Sequence, residues 1–387
     1  MRDLWIQKRR NDLVVATFGR GIYVLDDYAP LRTMTAAAAK NDATLFAPRD
    51  AELYVERAQL GLPGKSFQGD THFTAPNPPF GATLTYYLRE ELKSKRKQRW
   101  EQEARVEKDG GNEPPPYPTW EQLRAEEREV EPAIVLAVSD DDGNVVRRVT
   151  GPVTAGFHRI AWDLRYPPPS PIELTEPETD VFSPPPTGPL AAPGKYTVRL
   201  LKRVDGVETP VGEAQTVNVT PLYLALFNES DRKDVLAFQQ KASRLQKAAM
   251  GAAGALDEAR TRVQHIRRAL DQIDGPDQNL LAKVNAVDNT LRDLDEQLNG
   301  NSVIRARNEP TPPALLDRIN IAINGLGTTQ PPTTTHREAL AIAERDFVPF
   351  LARLRQTITV DLAAIEKQLN AADAPWTPGR IPTWPPQ

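Results

Sequence analysis

Phe238, Ala242, Leu245, Ala249, Ala252, Leu256, Ala259, Val263, Ile266, Leu270 and Ile273 follow one another at alternating steps of four and three. That spacing holds an apolar stripe on one face of a helix; a strand changes face at every residue. Leu280, Val284, Val287, Leu291, Leu294 and Leu298 repeat it, and Phe347, Leu351, Leu354, Ile358, Ile365 and Leu369 form a third stripe. Matching seams joined by modest connections predict an antiparallel helical bundle over residues 223–372. The alternative is a coiled coil between chains. Ser230, Asp231 and Asp234 place acceptors and negative charge at the first helix start. Gly275-Pro276 stops that helix and Gly300 caps the next. Thr311-Pro312 opens a short helix that ends near Gly325. Thr335-His336-Arg337-Glu338 reads as the capping box of the last long helix.

Upstream of Pro221 the apolar period is two. Strand-like runs lie at 44–46, 82–88, 133–138, 145–149, 155–164, 196–201 and 207–219. Turn residues separate them, among them Ser139 to Asn144, and most have no helix between them. The pattern predicts a β-sandwich over residues 35–222. Three segments interrupt it. Ala75 to Gly81 is too proline-rich for a central strand and reads as an edge or loop. Residues 89–131 interleave both charge signs and read as a solvated helical insertion, with Thr119 to Gln122 as a capping box. Pro167 to Pro193 reads as an extended loop.

Residues 13–17 and 22–25 form a hairpin pattern around Phe18-Gly19-Arg20-Gly21. A lone hairpin cannot bury its apolar side chains in water. Residues 1–34 therefore read as part of a sheet whose remainder is missing. Residues 373–387 carry Trp376 and Trp384 among prolines, which excludes a helix.

Composition removes several kinds of chemistry. The 387 residues contain no cysteine, so thiol nucleophiles, disulfides and thiolate metal sites are excluded. A net charge of −4 argues against broad nucleic-acid binding. No run of about 18 apolar residues predicts a membrane span. Met1 to Arg10 lacks the order of a signal peptide, so the expectation is a cytosolic chain or one without its true N-terminus.

The candidate sites resolve into ordinary structure. Leu60 to Ser66 looks like a phosphate loop but has Gln59 where the first glycine belongs. Gly19-Arg20-Gly21 lacks the third glycine of a dinucleotide loop. Asp140-Asp141-Asp142-Gly143 lacks calcium-loop spacing and reads as a turn. His72, His158, His265 and His336 lie far apart without metal-ligand spacing. Glu173, Glu176, Glu178 and Asp180 read as an acidic loop rather than a glycosidase pair. Lys93 to Trp100 is a basic run offset by Glu90, Glu91, Glu101 and Glu103. No Gly-x-Ser-x-Gly elbow occurs. The expectation is no catalytic, cofactor-binding or metal-ligating residue, and no cofactor.

Asn11 to Asp27, centred on Leu13-Val14-Val15-Ala16-Thr17-Phe18-Gly19-Arg20-Gly21-Ile22-Tyr23-Val24-Leu25, resembles the final blade of bacterial sortilin-like, BNR-repeat β-propeller proteins, often labelled glycosyl hydrolase-like. Pro76 to Ala82, Tyr86-Tyr87-Leu88, Gly156 to Arg165 and Pro193 to Val198 resemble the region downstream of that blade. Asp142 to Leu200 is similar to the Ig-like domain of flagellar hook-capping proteins. The chain departs from the propeller group at Phe18, where histidine is common, and has no Ser-x-Asp-x-Gly-x-Thr-Trp box. The resemblance implies a last propeller blade over 1–34, an Ig- or fibronectin-like sandwich over 35–222 and a periplasmic or extracellular location. It further implies a non-catalytic C-terminal structural or binding region of a larger protein. Its partners would be the missing propeller, an envelope protein or a glycan. The alternatives are an accessory part of a carbohydrate-acting hydrolase whose active site lies in the missing blades, and a stand-alone coiled-coil interaction protein.

Overall fold

The computed structural model describes residues 2–19, 21–56, 71, 75, 77–109, 117–175, 185–222, 229–273, 275, 277–324 and 331–382. It shows a mixed β and α protein. The chain divides into two compact units, Met1–Pro167 with Leu190–Leu226, and Pro168–Pro189 with Phe227–Gln387.

The first unit opens with β1 (Asp3–Gln7), β2 (Asp12–Ala16) and β3 (Ile22–Leu25), an antiparallel sheet in that order. The predicted hairpin is thus a three-stranded sheet, because Leu4-Trp5-Ile6 also pairs with β2. Asn11 turns the chain between β1 and β2 at φ +57°, a value asparagine tolerates. A short helix, α1 (Ala29–Thr33), follows.

Two further sheets share one core. The smaller joins β4 (Ala43–Leu45), β6 (Ala82–Leu88) and β9 (Gly156–Trp162) in the order β4-β6-β9. The larger uses β5 (Ala51–Leu53), β7 (Ala133–Ser139), β8 (Val145–Gly151), β10 (Gly194–Val204) and β12 (Gln215–Pro221). Its order is β5-β12-β10-β7-β8, with β11 (Val207–Pro210) hairpinned onto β10. Leu84, Tyr86, Leu88 and Trp162 from one sheet meet Leu136, Val138, Val198, Leu200 and Val217 from the other. Each large side chain buried there contributes about 1.5–3 kcal/mol of transfer free energy. The polar tips of the buried aromatics are satisfied. Tyr86 donates to Pro152 O at 2.6 Å, Tyr196 to Ala192 O at 2.7 Å, and Trp162 Nε1 to Arg165 O at 3.1 Å. Burial pushes both tyrosine hydroxyls well above the ordinary phenol range.

The charged insertion forms α2 (Lys95–Asp109) and α3 (Trp120–Glu127). The Thr119–Gln122 capping box is present. Neither helix has a buried residue, so hydrophobic burial does not hold them. Ion pairs do: Lys93–Glu101, Lys97–Glu91, Lys95–Asp205, and Arg99 with both Glu103 and Glu126. Hydrogen bonds from Arg99 hold the Glu126 carboxyl below its usual range. Most of these side chains stay open to water, so their pairs are individually weak and salt screens them; Glu126, paired with Arg99, is the most sheltered.

A second charge cluster crosses the larger sheet. Glu208 of β11 accepts from Arg148 of β8 and from Arg203 of β10. These guanidiniums hold its carboxyl at about 2 instead of 4.5. Between those values the unfolded chain binds the proton and the folded one does not. Stability from this group is present above pH 4.5 and is lost as pH falls towards about 2. Glu208→Gln is expected to lower the unfolding temperature at neutral pH and to flatten part of its fall across that acid window. An unchanged acid slope in differential scanning calorimetry would contradict this.

The second unit contains α4 (Glu229–Leu270), α5 (Gln278–Asn299), α6 (Ser302–Arg305), α7 (Leu315–Ile323), α8 (Thr334–Gln356) and α9 (Ala363–Ala371). Ion pairs fix their directions. Arg260–Asp295 and Arg267–Asp288, both 3.0 Å, make α5 antiparallel to α4. Lys241–Glu344 at 2.7 Å and Arg262–Glu366 at 2.6 Å make α8 and α9 run with α4. The predicted stripes face inwards: Leu256, Val263, Ile266, Leu291, Leu294, Leu298, Leu354, Ile365 and Leu369 share one core.

Three details differ from expectation. The last long helix is capped by Thr333, two residues early, and His336 Nδ1 accepts from Thr333 N at 3.2 Å. The short helix starts at Leu315, where Asp317 accepts from Ala314 N at 3.0 Å. The pair α8–α9 is joined by a π-helical turn over Thr357–Leu362, which shifts the stripe and buries Thr357 and Leu362. Pro349 lies inside α8. In the tail, Ala374 enters the core, and Arg380 lies 4.7 Å from the Trp376 ring centre while donating to Asn370 Oδ1. Trp384 is outside the described residues.

Candidate functional site

The residues weighed for chemistry do not converge. Asp140 accepts from Asn144 N at 2.8 Å, closing the β7–β8 turn with Gly143 at φ +82°. His158 Nε2 lies 2.6 Å from Thr154 O, and its ring packs 5.1 Å from that of Tyr86. His265 is exposed on α4 and His336 serves as a cap. Lys93, Lys95, Lys97 and Arg99 are all ion-paired within the first unit. Glu173 is exposed. Leu60 to Ser66, Arg20, His72, Glu176, Glu178 and Asp180 lie outside the described residues. Among the described residues no group of three histidine, aspartate or glutamate side chains could hold a metal, and no helix is long and apolar enough to cross a membrane. Two open clefts of about 480 and 390 Å³ lie in the helical unit. The smaller sets Arg337, 5.5 Å from the Phe238 ring centre, among Ala237, Leu340 and Ala341, with Asp234 and Lys241 also on its wall; Lys241 is paired with Glu344.

The sheet β1–β3 stands apart. Its register puts Leu4, Val15 and Tyr23 side by side, with Ile6, Leu13 and Leu25 next to them on the same face. The opposite face carries Trp5, Val14 and Val24 at its centre, Asp3 beside Ala16 and Ile22 at one end, and Gln7 beside Asp12 at the other. The middle of each face is apolar, the pattern of a sheet covered on both sides. Yet β1 and β3 are exposed throughout: Trp5 is 68 % accessible, Ile22 73 % and Tyr23 66 %. A patch of this kind marks an interaction surface.

Polar contacts fix the sheet to the rest of its unit. Arg10 pairs with Glu52 of β5 at 2.6 Å, and Arg49 approaches Asp12 at 3.9 Å. Arg159 of β9 donates to the carbonyls of Asp26 and Asp27 just beyond β3. Asp12 Oδ1 accepts from the Asp27 amide at 3.0 Å, and Asp27 is buried. The sheet is thus held at one end and bare across both faces. Compared with protein-family models, curated proteins and solved structures, the chain matches none. The functional reading therefore rests on the sheet itself. It offers apolar area and strand edges. The sequence already carried a signal for β1, in the β-prone run Leu4-Trp5-Ile6 before the turn that ends at Asn11.

Proposed function

We propose that this chain is the non-catalytic C-terminal structural and binding region of a larger envelope or secreted β-propeller protein. One observation carries the reading: β1–β3 is apolar in the middle of both faces, exposed on both, and clamped to the sheets that follow. A propeller stacks small sheets face to face around an axis, so each blade needs apolar side chains on two faces. A single partner surface would satisfy only one. In this reading β1–β3 belongs to the last blade. Residues 35–222 form an Ig- or fibronectin-like sandwich with a charged helical insertion, and residues 223–372 an antiparallel helical bundle. The sandwich holds the blade through Arg10, Arg49 and Arg159, and the bundle extends the structural support. The resemblance of Asn11 to Asp27 to sortilin-like propellers supports the same partner.

The non-catalytic part is tested by incubating the purified chain with chromogenic glycosides and peptides. No turnover above buffer is expected. Turnover that disappears on a single substitution would overturn it.

A further inference from the structure

We infer that the larger cleft of the helical unit, where α4 and α9 stop and α5 starts, binds a small organic cation: an ammonium group on a compact apolar body. The site lies outside the β unit and stands independently of the reading of β1–β3.

The cleft encloses about 480 Å³, a size typical of small-molecule pockets. Its floor is apolar: Leu270 and Leu280 are buried and Ile273 is half-buried. Across from them α9 presents Ala371, whose short side chain leaves the floor open to an incoming molecule. Apolar surface of this kind gains by being covered with an apolar body of matching size.

Charge decides the sign of the ligand. Among the described residues that line the cleft, Asp277 is the one charged side chain. Its Oδ1 accepts from the Asn279 amide at 3.0 Å as the cap of α5, which leaves Oδ2 for a second donor. The Arg262–Glu366 pair runs α9 along α4, so both helices end here, at Leu270 and Ala371. Each helix end carries about half a negative charge. Asp271 and Asp373 follow these ends and are exposed. The start of α5 has the opposite polarity, but Asp277 already caps it. Basic side chains nearby do not line the cleft. Arg267 is held by Asp288 and Asn285, and Arg268 and Lys367 are exposed on their helices. Gln368 adds a neutral amide to the wall. An anion would meet repulsion at this rim. An uncharged apolar molecule would leave the carboxylate unused. An apolar ammonium satisfies floor and rim together.

The test is a titration of the whole chain, isotope-labelled at its isoleucine and leucine methyl groups, with n-hexylammonium, n-hexanol and hexanoate, read by methyl NMR. Saturable shifts centred on Leu270, Ile273 and Leu280 are expected with hexylammonium. Hexanol should shift the same methyls but bind about fivefold more weakly, the worth of an exposed carboxylate and two helix ends, and hexanoate should bind more weakly still. Asp277→Asn keeps the cap, which asparagine serves equally well, and should bring hexylammonium down to the level of hexanol without changing hexanol. Ala371→Leu, a good helix former, lays a side chain over the floor and should abolish saturation by all three. Equal binding of the three, indifferent to Asp277→Asn, would overturn the cation assignment. A preference for hexanoate would overturn the sign of the field. Shifts that fail to saturate, or that persist in Ala371→Leu, would overturn the site.

Discussion

Trp162→Ala is expected to destabilise the β unit by about 3–5 kcal/mol, the range for deleting a large aromatic from a packed interior. Trp162 is completely buried at the end of β9, packs edge-on against Tyr196 at 5.0 Å, and donates Nε1–H to Arg165 O. It joins the smaller sheet to β10 of the larger one, so its loss opens a cavity where the two sheets meet. Alanine also leaves the Arg165 carbonyl without that donor. Trp162→Phe keeps much of the apolar volume and removes only the donor and part of the ring, so it should lose roughly half as much. Urea unfolding followed by far-ultraviolet circular dichroism reads both. A loss under about 1 kcal/mol for alanine would show that the sheets do not depend on this contact.

Gly81→Ala should cost about 2–6 kcal/mol although it adds a single methyl group. Gly81 has φ +112°, which residues with a Cβ rarely adopt. A Cβ there would sit 1.9 Å from the Trp162 carbonyl oxygen and 2.8 Å from its carbon. Both atoms are backbone, so no side chain can swing away. The next residue pairs Ala82 with Trp162, and moving either backbone breaks the first rung between β6 and β9. Gly143→Ala is the control. It also has positive φ, +82°, but nothing lies within 4 Å of its Cβ position. It should cost about 1 kcal/mol from backbone strain alone. Equal losses at the two positions would mean that steric approach at Gly81 is not what matters.

The helical unit was legible because its signal is local and repeated. Steps of four and three from Phe238 to Ile273 survive any uncertainty about neighbours, and nearly every residue of that stripe is buried. The breaks were harder. The π turn over Thr357–Leu362 inserts one residue into a stripe that otherwise reads straight through, and Thr333 competed with Thr335 as a cap of similar chemistry. In the β unit the strands of seven or more residues were readable from their period. The three-residue β5 was not: it pairs in parallel with β12, Val219 opposite Ala51, and no local pattern announces so distant a partner. The β1 strand hid in a run flanked by Lys8, Arg9 and Arg10, where charge dominated the reading. The candidate site was half legible. Apolar residues at consecutive positions in β2 and β3 say that both faces want cover; only the structure shows that Trp5, Ile22 and Tyr23 lack it.

Amide hydrogen exchange of the purified chain, read by mass spectrometry, tests the central claim most directly. Residues 3–25 are predicted to exchange far faster than β7 and β10, whose side chains are buried in the shared core, because a sheet of short strands without a covered face opens easily. Exchange of residues 3–25 as slow as that of β7 and β10 would contradict the account: the sheet would then be complete within this chain, with no surface waiting for a propeller.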